Sequence, residues 1–220
     1  YARLRASQRA PWGGVVSTGE AVHLSCSPEL FVAAQDGRIW AKPMKGTAPR
    51  ADGADDAESR AALAASAKDR AENLMIVDLM RNDIAPVSQV GSVRVDALFE
   101  VETYPTVFQM TSTVRARLRE GCTMIDLLQA AFPCGSITGA PKRRAREIIG
   151  ELEPWQRGLY TGSIGYIGPN GDAAFNVAIR TLSTADGRNA VMGLGAGITA
   201  LSEPAAEWDE CLAKGAFVTA

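Results

Sequence analysis

Histidine is almost missing: the 220 residues hold one, His23. That excludes a His-rich zinc site and leaves little material for a Ser-His-Asp triad. The four cysteines, Cys26, Cys122, Cys134 and Cys211, form no C-x-x-C pair. Neither a zinc ribbon nor a thioredoxin-type redox site is therefore encoded, and reduced, mostly buried thiols in a cytoplasmic protein are expected. A long apolar run is lacking too: Ala190 to Leu201 carries three glycines and is too short for a membrane span. Neither charge is in excess, with Lys+Arg 23 against Asp+Glu 25 and a formal net charge of −2. Without a global basic field, no nucleic acid and no membrane surface is expected as a partner, and any anion site must be local. G-x-G-x-x-G and Walker A patterns are absent, so a nucleotide cofactor has no support. The chain opens on Tyr1-Ala2-Arg3 rather than Met. A processed product or a piece of a longer protein is expected, with no signal peptide at this start.

What is present reads as alternating strands and helices, in one domain or two small lobes. Leu30–Ala34 and Arg38–Lys42 are strand-like around a Gln35-Asp36-Gly37 turn, and Pro43 ends the second strand. After an Asp-rich loop at 51–56, residues 57–82 lack Gly and Pro, which predicts one long helix with Leu63, Leu74, Val77 and Met80 on its apolar stripe. Val90–Val95, Leu98–Val101 and Thr106–Leu118 look like strands, followed by a short helix at 123–131. Gly135–Lys142 is a glycine-rich loop entering another helix. Residues 162–199 give three strands, with turns at Pro169–Gly171 and Ala185–Arg188. A last helix is expected to start with Ser202 as its N-cap and Pro204 just inside. Hairpin-linked strands with interspersed helices predict an α+β fold, a largely antiparallel sheet packed with helices.

Two carboxylate pairs stand out, Asp69 with Glu72 and Glu207 with Glu210. Each is spaced i, i+3, so both members share one helix face. Hard oxygen donors from two helices suit Mg²⁺; a solvated acidic face is the alternative. Of only five lysines, Lys45 and Lys142 sit in glycine and proline contexts. A lysine on a rigid loop can be desolvated into a nucleophile or base, or simply be solvated. The Gly135–Lys142 loop offers N–H groups and a helix end to a carboxylate, or is merely a tight connection. In 174–182, alternation places Arg180 opposite an apolar stripe, where it binds a carboxylate in bidentate fashion or is just exposed. Gly193, Gly195 and Gly197 permit close approach of a ligand, or mark a strand bend.

The chain resembles the chorismate-utilising enzymes, and among them most closely component I of aminodeoxychorismate synthase, on the para-aminobenzoate branch of folate synthesis. The resemblance rests on Ser27-Pro28-Glu29, Pro43-Met44-Lys45-Gly46-Thr47, the run Lys68 to Asp83, Gly135 to Lys142, Gly162 to Tyr166, Ile179-Arg180-Thr181, Gly195-Ala196-Gly197-Ile198 and Glu207-Trp208-Asp209-Glu210. These segments follow family order along nearly the whole chain.

The resemblance implies an anthranilate synthase component I-like fold, seen in part. Residues 1–220 would form a chorismate-binding catalytic domain without its first strands and N-terminal lobe. It implies that Glu72 and Glu210 ligate Mg²⁺ while Asp69 and Glu207 support its waters. Arg180, Tyr166, Thr138, Lys214 and the Gly195-Ala196-Gly197 backbone resemble the carboxylate-binding set. Lys45 stands where aminodeoxychorismate synthases carry their nucleophile and anthranilate synthases an alanine. Glu29 resembles the general acid/base. Gln109 replaces a common His and can hydrogen-bond but not shuttle a proton. The implied reaction is amination of chorismate with ammonia from a glutamine amidotransferase partner. Anthranilate or isochorismate synthase-type chemistry, or a non-catalytic chorismate-binding fragment, are the alternatives.

Overall fold

The computed structural model describes residues 1–50, 53–105, 107–200 and 202–218. Its elements run α1 (Ala2–Gln8), β1 (Gly14–Ser17), β2 (Val22–Ser25), β3 (Leu30–Gln35), β4 (Arg38–Lys42), β5 (Met44–Pro49), α2 (Ala54–Ala65) and α3 (Ala67–Ile84). The long strands β6 (Arg94–Thr103) and β7 (Val107–Arg117) precede α4 (Met124–Ala131), α5 (Gly135–Thr138) and α6 (Lys142–Leu152). Short strands β8 (Gly165–Ile167), β9 (Ala173–Asn176), β10 (Thr181–Thr184) and β11 (Val191–Met192) lead to α7 (Pro204–Gly215). The chain divides into two units, one of Tyr1–Pro28, Arg157–Ile164 and Asn176–Ala220, the other of Glu29–Gln156 and Gly165–Phe175.

The larger unit is built on a seven-stranded sheet of order β5-β7-β4-β3-β9-β8, with β6 also paired to β7. Every pairing with a described register is antiparallel, as the α+β expectation required. The first hairpin closes as its residues dictate: Asp36 and Gly37 both take left-handed φ, 50° and 71°, the torsions of a tight two-residue turn. Thr123 caps α4 through a capping box with Asp126. Helix α3 lays Asn73, Ile76, Val77, Met80 and Ile84 into the core, a 3.6-residue stripe, and packs on β5, β6, β7, α4 and α5. Leu63, Phe108 and Met110 form a core cluster in which α2 meets β7.

Several expectations are corrected here. The long helix over 57–82 is two helices, because Ser66 (φ −62°, ψ 110°) ends α2 and turns its hydroxyl to the Asp69 N–H, capping α3. Leu74 is off the apolar stripe and 43% exposed, its core place taken by Ile76. Val90–Val93 is a turn rather than strand, held by Ser92 on the Gln89 carbonyl, and β6 is one bulged strand instead of two. The chain does not leave the sheet after Pro43: it continues directly into β5, so Lys45 lies in a strand and not a loop. Within the loop over 51–56 and the strand from Thr106, residues Ala51, Asp52 and Thr106 lie outside the described residues, as does Leu201.

The smaller unit carries an antiparallel four-stranded sheet, β1-β2-β10-β11. Its buried polar hub is Asn176, which donates to the Trp12 carbonyl (2.7 Å) and Ser25 Oγ (3.2 Å) and accepts from the Ile164 N–H (2.9 Å). The expected strand over 174–182 is interrupted: Arg180 adopts φ 48°, ending the alternation, and its carbonyl takes the Cys26 N–H at 3.0 Å. Ser202 is not the cap of α7. Glu203 occupies that position, while the Ser202 hydroxyl accepts from the Thr199 N–H at 3.0 Å and donates to the Gly197 carbonyl at 3.3 Å, stapling the glycine loop.

Candidate functional site

The expected site residues fall into two sets. Glu29, Lys45, Asp69, Glu72, Gln109, Thr138 and Tyr166 belong to the larger unit, and Arg180, Gly195, Ala196, Gly197, Glu207, Glu210 and Lys214 to the smaller.

In the larger unit, the register between β5 and β7 pairs Met44 with Thr111 and Thr47 with Gln109. Lys45 and Gly46 therefore stand opposite Met110 alone, two residues against one, which is a β-bulge. Gly46 has φ 95°, and a Cβ there would lie 2.9 Å from the Asp69 Cβ. Only glycine fits this torsion and this approach, so the nucleophile candidate is carried by a bulge pressed against the first turn of α3. Asp69 and Glu72 are half-buried and precede the buried stripe of that helix that begins at Asn73. Lys42 is ion-paired with Glu102 and Lys214 with Glu210. Lys45, half-buried, has no hydrogen bond or ion pair among the described residues.

Lys142 separates from Lys45 at this point. Its ammonium donates to Asp83 Oδ2 at 2.5 Å and to the Ala131 carbonyl at 2.8 Å, so it is a structural cation closing the 131–142 segment. Burial holds the Asp83 carboxyl above the ordinary carboxylate value, against the pull of Lys142. Within that segment the Gly139 and Ile137 N–H groups return to the Gly135 and Cys134 carbonyls, and the Thr138 hydroxyl donates to the Cys134 carbonyl at 3.1 Å. Glu29 is 4% exposed. Burial and the Glu29 carboxylate push the Cys134 thiol up to about 12, leaving it protonated and inert. Gln109 is buried, and its Oε1 accepts from the Thr47 hydroxyl at 3.2 Å. Tyr166 on β8 is 63% exposed.

In the smaller unit, the glycines make room for protein. Cβ atoms at Gly193 and Gly195 would strike the Tyr160 ring and hydroxyl, and one at Gly215 would meet Leu194. Lys214 donates to the Gly195 carbonyl at 3.0 Å and pairs with Glu210 at 2.6 Å, fastening the loop to α7. Glu207 Oε2 is buried with no hydrogen-bond partner among the described residues. A buried carboxylate oxygen left unbonded is costly unless a cation answers it. A carboxylate oxygen is the hard kind of donor that a divalent ion such as Mg²⁺ takes. Among the described residues no group of three or more His, Cys, Asp or Glu that could hold a metal is gathered; Asp69 with Glu72 and Glu207 with Glu210 remain pairs by helical spacing.

A family model described as chorismate binding enzyme matches residues 1–220. The chain belongs to the chorismate binding enzymes. It is 50% identical over 215 residues to aminodeoxychorismate synthase component 1 of Klebsiella aerogenes, covering 97% of this chain and 48% of that protein. It is 46% identical over 223 residues to anthranilate synthase component 1 of Streptomyces coelicolor, covering 100% of this chain and 43% of that one. The crystal structure of anthranilate synthase component I from Streptococcus pneumoniae superposes with a TM-score of 0.87 at 34% identity, over 96% of this chain and 47% of that one. The chain thus spans about half the length of the curated relatives it matches. No helix among the described residues is long and apolar enough to cross a membrane.

Sequence reasoning passed over three residues. Asn73, a polar side chain inside an apolar stripe, is fully buried; its spacing four residues after Asp69 and three before Ile76 could have marked it. Asp83, the partner of Lys142, and Tyr160, the ring that demands Gly193, give no local signal.

Proposed function

We propose that this chain supplies the catalytic machinery of an aminodeoxychorismate synthase-type enzyme acting in the cytoplasm. The reaction is amination of chorismate to 4-amino-4-deoxychorismate, with ammonia delivered by a glutamine amidotransferase partner. The carrying observation is the two-residue bulge of Lys45 and Gly46, in which Gly46 packs against Asp69 while Lys45 is half-buried and its side chain unpaired among the described residues. The Klebsiella aerogenes relative, named as a component 1, supports both the activity and a second component.

Glu72 and Glu210 would hold Mg²⁺, with Asp69 and Glu207 supporting its waters, and the ion would fix the ring carboxylate and offset its charge. Arg180, Lys214, Tyr166, Thr138, Gln109 and the backbone from Gly195 through Ala196 to Gly197 orient the substrate's carboxylates and ring. The Lys45 amine attacks ring carbon C2, the double bonds shift, and the C4 hydroxyl leaves as water with the proton of Glu29. The adduct is a secondary ammonium on C2. Ammonia then attacks C4 and expels the Lys45 amine, and the proton released from the new ammonium returns to the Glu29 carboxylate. Chorismate and ammonia give the amino product and water, with enzyme restored.

The test incubates the full-length protein with chorismate and Mg²⁺ without ammonia and reads the intact mass. A chorismate-derived adduct, less one water, is expected; it disappears in Lys45→Ala and turns over on adding ammonium salt. Binding without adduct or turnover overturns the reading in favour of a non-catalytic chorismate binder. The 46% identity to an anthranilate synthase component 1 favours a second reading, which anthranilate as product would establish.

A further inference from the structure

Asn73 follows Glu72 on α3 and is wholly buried. Its Oδ1 accepts the Ser112 hydroxyl proton at 2.5 Å, and its Nδ2 donates to the Met110 carbonyl at 3.4 Å. Both partners bear on Lys45. Met110 is the β7 residue opposite the Lys45–Gly46 bulge. The Ser112 N–H donates at 3.1 Å to the carbonyl of Pro43, two residues before Lys45. The same Ser112 hydroxyl oxygen accepts the N–H of Phe99 at 3.1 Å. Phe99 is held at φ 59°, a torsion an aromatic residue adopts only when its surroundings impose it, with the Arg70 guanidinium 4.7 Å above its ring. One buried amide thus ties the turn bearing Asp69 and Glu72 to both sides of the strand segment bearing Lys45.

Resting on the function proposed above, we infer that Asn73 is a positioning residue: it fixes the acidic turn of α3 against the Lys45 bulge. Apolar side chains would fill the same space, as they do at Ile76 and Met80 one and two turns on, but they would let the helix slide or rotate on the sheet. Two hydrogen bonds to β7 set a register that packing leaves free. Errors of about 1 Å between reacting groups are enough to cost roughly 10²-fold in rate.

The experiment uses the full-length protein with Asn73→Leu, Ser112→Ala and the double variant. Three quantities are read: the single-turnover rate of Lys45 adduct formation at saturating chorismate, the thermal midpoint, and Lys45 acylation by acetic anhydride, which releases acetate, relative to exposed Lys68. Asn73→Leu is expected to lower the adduct rate at least tenfold, with the half-saturating chorismate concentration within threefold, and to change the Lys45 to Lys68 labelling ratio at least threefold. In the double variant neither side chain of the pair leaves the other stranded, though the Phe99 N–H loses its acceptor, so the midpoint recovers in part while rate and ratio stay altered. Recovery of the rate together with the midpoint makes Asn73 a stabilising residue only and overturns the inference. So does an unchanged labelling ratio. If Asn73→Leu fails to fold, Ser112→Ala alone carries the same expectations at threefold or more. If wild-type protein forms no adduct, the proposed reaction fails, while the labelling ratio still decides the positioning role without chorismate.

Discussion

Replacing Lys142 by methionine probes the buried pair that closes the 131–142 segment. The Lys142 and Asp83 side chains are 17% and 13% exposed, and no other cation in the described ion pairs reaches Asp83. Removing one partner of such a pair costs about 3–5 kcal/mol, because the remaining charge stays out of water. For a chain of this size about 1 kcal/mol moves the melting temperature by roughly 2–4 °C, so Lys142→Met is expected to lower it by about 6–20 °C at neutral pH. Replacing both partners, Asp83→Leu with Lys142→Met, leaves no stranded charge and recovers most of the loss. The pH dependence has a definite sign. Asp83 already has a folded pKa above its ordinary value, so the folded state holds the proton more tightly. Its contribution is fully present below the unfolded pKa and falls as pH rises through the folded one. Without Lys142 that folded pKa climbs further. The deficit of Lys142→Met must therefore shrink on acidification, as Asp83 takes up a proton. Melting curves by circular dichroism across a pH series, on the single and double variants of the full-length protein, measure all of this. A loss below about 1 kcal/mol, or a double variant no more stable than Lys142→Met, refutes the reasoning.

Gly46→Ala combines a positive φ with a Cβ 2.9 Å from that of Asp69; a loss of about 1–3 kcal/mol in stability is expected from the torsion alone, with Lys45 adduct formation abolished, by calorimetry and intact mass. At α4, hydrogen bonds from the Thr123 hydroxyl and N–H hold the Asp126 carboxyl below its ordinary value. Its contribution is present above the unfolded pKa and lost as pH falls through the folded one, so the stability gap between wild type and Thr123→Val closes in acid, as unfolding curves at stepped pH would show.

Features written by neighbouring residues were legible in the sequence. Asp36-Gly37 makes its turn because both residues tolerate left-handed torsions, the short helix α4 falls where it was expected, and Pro204 sits at the start of α7 where its missing N–H is harmless. Features decided across the sheet were not. Nothing local separates the unpaired bulge at Lys45–Gly46 from a loop, since the bulge exists only as a mismatch with β7. The run over 57–82 reads as one helix, and its break at Ser66, whose hydroxyl takes the Asp69 N–H, shows only in the structure. Ser202 looked like a cap and serves the loop before it instead. The acidic pair on α3 was visible as a spacing, but its half-buried place beside the core stripe emerged only with the sheet in place. Lys45 and Lys142 were indistinguishable by context; Asp83, distant in sequence, separates them.

Lys214 has three N–H groups, and two of them already point at acceptors, the Gly195 carbonyl and the Glu210 carboxylate. Helix and loop are consequently one lever: any tilt of α7 drags the Gly195 backbone with it. The remaining N–H has its direction dictated beforehand, so under the proposed function a substrate carboxylate would meet this ammonium along a single line of approach, and one needing two contacts from it would first have to unfasten the clasp.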